Sequence, residues 1–228
     1  MIHNKKEFTG GMVLLVLFFV VLFYMFQPMF NGLNSMAYLD ALYNSISKGS
    51  VYYIPMASTE AEKVADKEIN LNLHYKDENV AAQSAAQMTA AGISATVNGN
   101  DVAVTGSLKT ILDASIADAD FMYHNDGDSV TGKYGLLPKR ATYNWWVSLG
   151  LLDKELSHQE EFAAAKVVST VKTRAVETAY NYFTIEPVHI SERIGTVIFS
   201  LAFYVFYTLW YGFAILFVFE GWGLRLSH

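Results

Sequence analysis

Gly11-Met-Val-Leu-Leu-Val-Leu-Phe-Phe-Val-Val-Leu-Phe-Tyr-Met-Phe26, followed by Gln27-Pro28-Met29-Phe30, contains no charged residue. A helix rises about 1.5 Å per residue, so roughly 20 such residues cross a hydrocarbon layer about 30 Å thick. A second uncharged stretch, Thr196–Phe219, runs into Glu220-Gly-Trp-Gly-Leu-Arg225. Two membrane spans, residues 11–30 and 196–219, are therefore the reading that organises the rest of the chain. A cleaved signal peptide shares the basic start (Lys5, Lys6), but its apolar run is only about 7–15 residues long. The first block is accordingly expected to be an uncleaved anchor. Trp222 suits the membrane boundary, where an indole keeps its ring in lipid and its N–H in water.

The composition agrees. The chain is 52% hydrophobic and 17% charged, oily for a soluble protein of 228 residues. The excess sits in the two blocks, and the region between them has an ordinary soluble composition large enough to bury a core. Cysteine is absent, which excludes disulfides, thiolate metal sites and cysteine nucleophiles. Of 16 Lys/Arg and 22 Asp/Glu, setting aside Lys5, Lys6, Arg225, Glu7 and Glu220 leaves 13 against 20 between the blocks. So acidic a region repels phosphate backbones, and nucleic acid is not an expected partner.

Orientation follows from the short flanks. Lys5 and Lys6 precede the first span and Arg225 follows the second, so the positive-inside rule places residues 1–10 and 220–228 in the cytoplasm. The expected location is the inner (cytoplasmic) membrane, crossed twice, with a periplasmic or otherwise extracytoplasmic central domain.

Within that region, 31–66 reads as a helical extension and linker. Met36, Tyr38, Leu42, Tyr43 and Ile46 have helical spacing, Pro55 is expected to end the helix, and Ser58–Glu62 is a linker or short helix start. Ile69–Tyr75 alternates strictly, as a half-buried strand does. Asp77 can cap a helix that runs to Ala91 and stops at Gly92. Ser94–Val97 and Asp101–Val104 are short strands joined by Asn98-Gly99-Asn100, a hairpin turn in which Gly99 takes positive φ. Ser107 opens a helix to Tyr123. The expected fold class is α+β: a β-α-β-β-α module over 67–135, ferredoxin-like in order only, with additional helices.

Asn125–Ser129 reads as a polar loop. In 136–195, an aromatic segment and long helix, Tyr143–Leu149 either lies on a membrane surface or plugs the module's core. Ser157 and Glu160 have capping-box spacing for a helix to about Phe183, and Pro187 breaks the chain before the second span.

On the second span Ser200, Tyr204, Tyr207 and Tyr211 share one side of a helix, with Thr208 and Gly212 as a small-xxx-small pair beside them. Hydroxyls inside lipid cost free energy unless they find acceptors. Tyr24 and Gln27 of the first span lie near one of its ends and do not reach the whole stripe. The six residues are therefore the expected helix–helix interface, toward other integral membrane subunits or a second copy. Tyrosines that bond to their own backbone, or a quinone-like cofactor against the stripe, are the competing readings.

Asp113, Asp120 and His124 fall at i, i+7 and i+11 and form a weak candidate metal site. Leu108, Ile111, Leu112, Ala119 and Met122 on the opposite side make the acidic side simply the solvated one. Asn125-Asp-Gly-Asp128 lacks the ligand order of a calcium loop. His3, His74, His124, His158, His189 and His228 are scattered, and nucleotide and hydrolase signatures are absent. No cofactor and no catalytic residue is expected. The functional expectation is a non-catalytic accessory subunit of a membrane complex of respiratory or transport type, or alternatively a membrane-tethered ligand-binding or sensor module.

Overall fold

Pro, Gly and capping residues set most of the element boundaries. The computed structural model describes residues 2–224, while Met1 and 225–228, with Arg225 and His228, lie outside the described residues. In chain order the elements are α1 (Lys5–Met25), α2 (Ser35–Lys48), α3 (Ile54–Ala61), β1 (Glu68–His74), α4 (Glu78–Ala90), β2 (Ser94–Asn98) and β3 (Asp101–Ser107). There follow α5 (Leu108–Tyr123), α6 (Gly127–Tyr134), α7 (Pro138–His158), α8 (Phe162–Val171), a π-helical turn (Lys172–Glu177), α9 (Thr178–Tyr182) and α10 (Ile190–Trp222). The fold is mixed helix and sheet, with two helices long and apolar enough to cross a membrane, α1 and α10. The chain divides into two units: Ser50–Glu186, and the two segments that flank it.

In the Ser50–Glu186 domain, β3 lies between β1 and β2 and is antiparallel to both, with Leu71 opposite Val104 and Asn98 opposite Asp101. Ile69, Leu71 and Leu73 of β1 and Val102 and Val104 of β3 are buried, while Glu68, Asn70, Asn72 and His74 are exposed. One face of the sheet thus meets helices and the other meets solvent, which is why the strands alternate. Asp77 caps α4, accepting from the Asn79 and Val80 N–H groups at 2.8 and 3.0 Å. Gly92, at φ 84°, ends the helical turn, and Gly99, at φ 61°, makes the hairpin.

One core unites this sheet with all the helices from α3 to α9. On α7 the buried residues Ala141, Trp145, Ser148, Leu149, Leu152 and Leu156 recur every three or four positions. Trp145, with 1% of its surface exposed, plugs the core, whereas Tyr143 and Trp146 of the same aromatic segment stay at the surface. Asp118 is also 1% exposed. Its carboxylate accepts from Lys133 Nζ at 2.7 Å, the Tyr134 hydroxyl at 2.6 Å and the Trp145 indole N–H at 2.7 Å. Three donors on two helices satisfy one buried charge and join α5, α6 and α7. Burial and then the bond to Asp118 push the Tyr134 phenol well above its ordinary range.

Several boundaries differ from the sequence expectations. Pro55 does not end a helix but sits in the first turn of α3, where its missing N–H is harmless and its φ is already helical. Residues 125–129 are not wholly a loop: Asp126 caps α6, accepting from the Ser129 N–H. The 157/160 capping box does not form. Ser157 lies in the last turn of α7, Glu160 has φ 61°, and α8 begins after Glu161 with no side-chain cap. Burial of Leu156 holds α7 helical past the position where local signals favour a start. The first apolar helix is also displaced from 11–30. Asn4 caps it early, accepting from the Lys6 and Glu7 N–H groups, and the chain leaves the helix ahead of Pro28. A tight turn follows, with Asn31 and Gly32 at φ 50° and 85° between the bridged residues Phe30 and Leu33.

Replacing Asp118 with Ala leaves the buried Trp145 indole N–H and the half-buried Tyr134 hydroxyl without an acceptor, while Lys133 can turn to water, and is expected to cost about 2–4 kcal/mol of domain stability. Urea unfolding followed by tryptophan fluorescence reads this, and a loss below about 1 kcal/mol, the ordinary cost of a point change, would show that Asp118 is not the junction of the three helices.

Candidate functional site

The apolar side chains of α1 and α10 largely point away from the rest of the protein: Val13, Val16, Leu17, Phe19 and Val20 on one helix and Ile198, Phe199, Leu201, Val205, Phe206 and Leu209 on the other are exposed. A core helix would bury such residues. Only lipid or another apolar surface can take a face of this kind without a hydration cost. This pair is the candidate site.

The two helices run antiparallel and touch along one seam. Gly221 lies against the backbone of Phe8, and its carbonyl accepts from the N–H groups of His3 and Asn4, both at 2.9 Å. At Gly11 a Cβ would stand 2.6 Å from the Val218 nitrogen and 2.9 Å from the Ala214 carbonyl oxygen. No side chain fits at either place, so glycine sets how closely the helices approach. Farther along, the Trp210 indole N–H donates to the Leu14 carbonyl and the Tyr207 hydroxyl to the Phe18 carbonyl, each at 3.1 Å. The Tyr207 ring also stacks on Phe18 at 4.2 Å between centroids, and Tyr211 lies 4.9 Å from the same ring. Beyond the end of α1 the partner changes. Ser200 and the Tyr43 hydroxyl of α2 are hydrogen-bonded at 2.7 Å, and the Val188 N–H donates to the Ser45 carbonyl.

The predicted stripe therefore splits. Ser200, Tyr207 and Tyr211 face neighbours within the chain, whereas Tyr204, Thr208 and Gly212 do not. Tyr204 is 69% exposed and its hydroxyl has no partner among the described residues. Thr208 returns its hydroxyl to the Tyr204 carbonyl. A Cβ on Gly212 would meet nothing within 4 Å. Side chains of Tyr24 and Gln27 are not the acceptors α1 supplies to this stripe; its backbone carbonyls are, because aromatic donors of α10 reach bonds already made within the helix and share them. Sequence reasoning passed over Trp210, Gly11 and Gly221. An indole N–H inside an apolar stretch, which needs an acceptor, was the available signal for the first.

Asp113, Asp120 and His124 do not converge. Asp113 binds Lys109 Nζ at 2.5 Å. Asp120 accepts from the Tyr52 hydroxyl at 2.8 Å and lies 3.2 Å from His124 Nδ1. Among the described residues no three His, Asp or Glu side chains gather as metal ligands do. The Tyr52 ring packs on Tyr123 and edge-on to His124, so Asp120 and His124 hold Tyr52 against the end of α5. Burial first, then the bond to Asp120 and its charge, push the Tyr52 phenol up to about 12.

Compared with known protein families, curated proteins and solved structures, the chain matches none. Its function has to be argued from the geometry.

Gly11→Leu and Gly221→Leu should force the helix pair apart and lower the thermal midpoint of the detergent-solubilised protein, because overpacking a tight contact costs about 1–3 kcal/mol or more. Gly10→Leu, where a Cβ meets nothing within 4 Å, should leave the midpoint unchanged. Equal effects at Gly10 and Gly11 would remove the seam from the account.

Alkaline titration of absorbance should show a tyrosine step near 12 that moves down in Asp120→Asn but stays above the ordinary value, since burial, the larger cause, remains. The folded phenol is raised above its unfolded value of about 10, so its contribution to stability is complete below pH 10 and disappears as pH climbs through 12. An unaltered titration in Asp120→Asn would show that Asp120 does not raise this phenol.

Proposed function

We propose that this chain is a non-catalytic accessory subunit of a larger membrane complex of respiratory or transport type. Its α1–α10 pair crosses the inner membrane, and its Ser50–Glu186 domain docks on the extracytoplasmic side. The observation that carries this reading is the outward line Tyr204–Thr208–Gly212. It presents a phenol with no acceptor and an open notch beside a glycine, in a helix whose Ser200, Tyr207 and Trp210 side chains are hydrogen-bonded within the chain. In hydrocarbon a bare hydroxyl is stabilised by an acceptor on another helix, and a glycine notch admits a close approach. The acidic domain and the cations Lys5 and Lys6 ahead of α1 favour the outward placement. We read β1-α4-β2-β3-α5 as ferredoxin-like in order, a scaffold that fixes no chemistry. A second reading, a membrane-tethered ligand-binding module, is favoured by an open groove beside Tyr143 and Trp146.

Mild solubilisation followed by mass spectrometry should recover other integral membrane chains with this one, and Gly212→Leu should strip them while leaving the monomer folded. A lone monomer from wild-type membranes would overturn the subunit reading. Because the chain has no cysteine, Lys166→Cys gives a single reporter on the exposed side of α8. A membrane-impermeant maleimide should label it in intact spheroplasts, and labelling only after lysis would overturn the outward placement.

A further inference from the structure

Of the nine lysines of the Ser50–Glu186 domain, four are in ion pairs among the described residues and five, Lys139 and Lys166 among them, are not. Lys63, Lys67, Lys109 and Lys133 are each paired with a carboxylate. Lys76, Lys154 and Lys172 make no ion pair among the described residues, and all three line one groove of about 460 Å³. In a domain with an acid excess, cations are expected to find carboxylates, so three unpaired ammoniums around one cavity constitute a local inversion of charge.

Apart from these lysines, Asp77 and His74, which is hydrogen-bonded to Asp101 at 2.8 Å, the rest of the groove is apolar and aromatic. Val80, Val147, Leu151 and the rings of Tyr75, Tyr143 and Trp146 line it. Tyr143 and Trp146 lie nearly parallel, 22° apart with centroids separated by 6.2 Å, and are 39% and 38% exposed. A second recess of about 290 Å³, against Tyr180 and Asn181, shares these two rings. The indole is held in place, because its N–H donates to Glu177 Oε2 at 2.9 Å. Lys172 Nζ stands 5.6 Å from the Trp146 ring centroid. Glu177 and Lys172 both belong to the π-helical turn, a backbone irregularity common at functional sites. Gly150 lines the groove beside Lys172, where a Cβ would make an ordinary contact 3.8 Å from Nζ, so there is room for a side chain to enter. Two carboxylates lie at these recesses. Asp77 is committed to the N-terminus of α4 and Glu177 to Trp146, so the three lysines set the sign of the groove.

We propose that this groove binds a small organic anion with a flat apolar body, such as an aromatic carboxylate, the body against Tyr143 and Trp146 and the charge among Lys76, Lys154 and Lys172. The dimensions match those of small-molecule sites, which are concave, mostly apolar and carry a few convergent polar groups. Ammoniums over aromatic, partly desolvated ground attract a carboxylate more strongly than they would in open water. The inference concerns the outer domain alone, so its failure would leave the membrane-subunit reading intact, and the converse also holds.

The test uses the full chain in lipid nanodiscs, titrated by calorimetry with 2-naphthoate and with 2-naphthamide, which has the same ring system without the charge; empty nanodiscs serve as the blank. Saturable one-to-one binding of naphthoate is expected, with the amide about tenfold weaker or worse. In Lys154→Gln/Lys172→Gln, one exposed and one half-buried position, naphthoate should fall to the level of the amide. Gly150→Phe, which fills the groove and keeps every charge, should abolish binding of both. The proposal is overturned if naphthoate and the amide bind alike, if the lysine variant retains wild-type affinity, or if no heat above the blank appears up to about 1 mM ligand.

Discussion

Water cannot solvate the outward faces of α1 and α10 without a large free-energy cost, and the protein offers no interior in which to hide them. The two helices leave rows of Val, Leu, Ile and Phe exposed, each worth about 1.5–3 kcal/mol when taken out of water. Other features of the flanking unit make sense only against an apolar surrounding. Backbone groups there must be closed within helices, and side-chain donors such as the Trp210 indole and the Tyr207 hydroxyl are aimed at carbonyls of the neighbouring helix.

Within that surrounding the hydrophobic effect cannot draw two helices together, so geometry must. At Gly11 and Gly221 the backbones come too close for any Cβ. That approach brings dispersion contacts along the seam and sets the distance at which Tyr207 reaches Phe18 and Trp210 reaches Leu14. Glycine costs conformational entropy in a helix, and here close packing offsets it. Gly212 lies on the same helix with nothing near it, so the same cost is offset by no contact within the chain.

The Ser50–Glu186 domain follows ordinary rules for water. Its sheet is buried on one face, α7 drives Trp145 into the core, and the single buried carboxylate, Asp118, accepts from Lys133, Tyr134 and Trp145. The remaining charges are not evenly shared. Carboxylates near α5 have cationic or phenolic partners, while Lys76, Lys154 and Lys172 stand together at the edge of an aromatic groove. Lys139 and Lys166 also make no ion pair among the described residues, so what sets these three apart is that they converge on one groove, an electrostatic feature that folding of the domain does not require.

By itself the sequence determined whatever depends on local period and local chemistry. The uncharged runs marked both apolar helices, alternation marked β1, Asp77 marked the cap of α4, and Gly99 marked the hairpin, because each rests on neighbours a few residues away. Where a local signal competed with burial, burial prevailed: Leu156 keeps α7 helical through Ser157, so the spacing to Glu160 has no effect. Tertiary structure alone decided which tyrosines of α10 turn inward, that Asp120 meets Tyr52 rather than Asp113, and that lysines at 76, 154 and 172 meet at one cavity. Those facts depend on distances between segments scores of residues apart. A chain's pattern reports which faces must be covered, and only its packing settles what covers them.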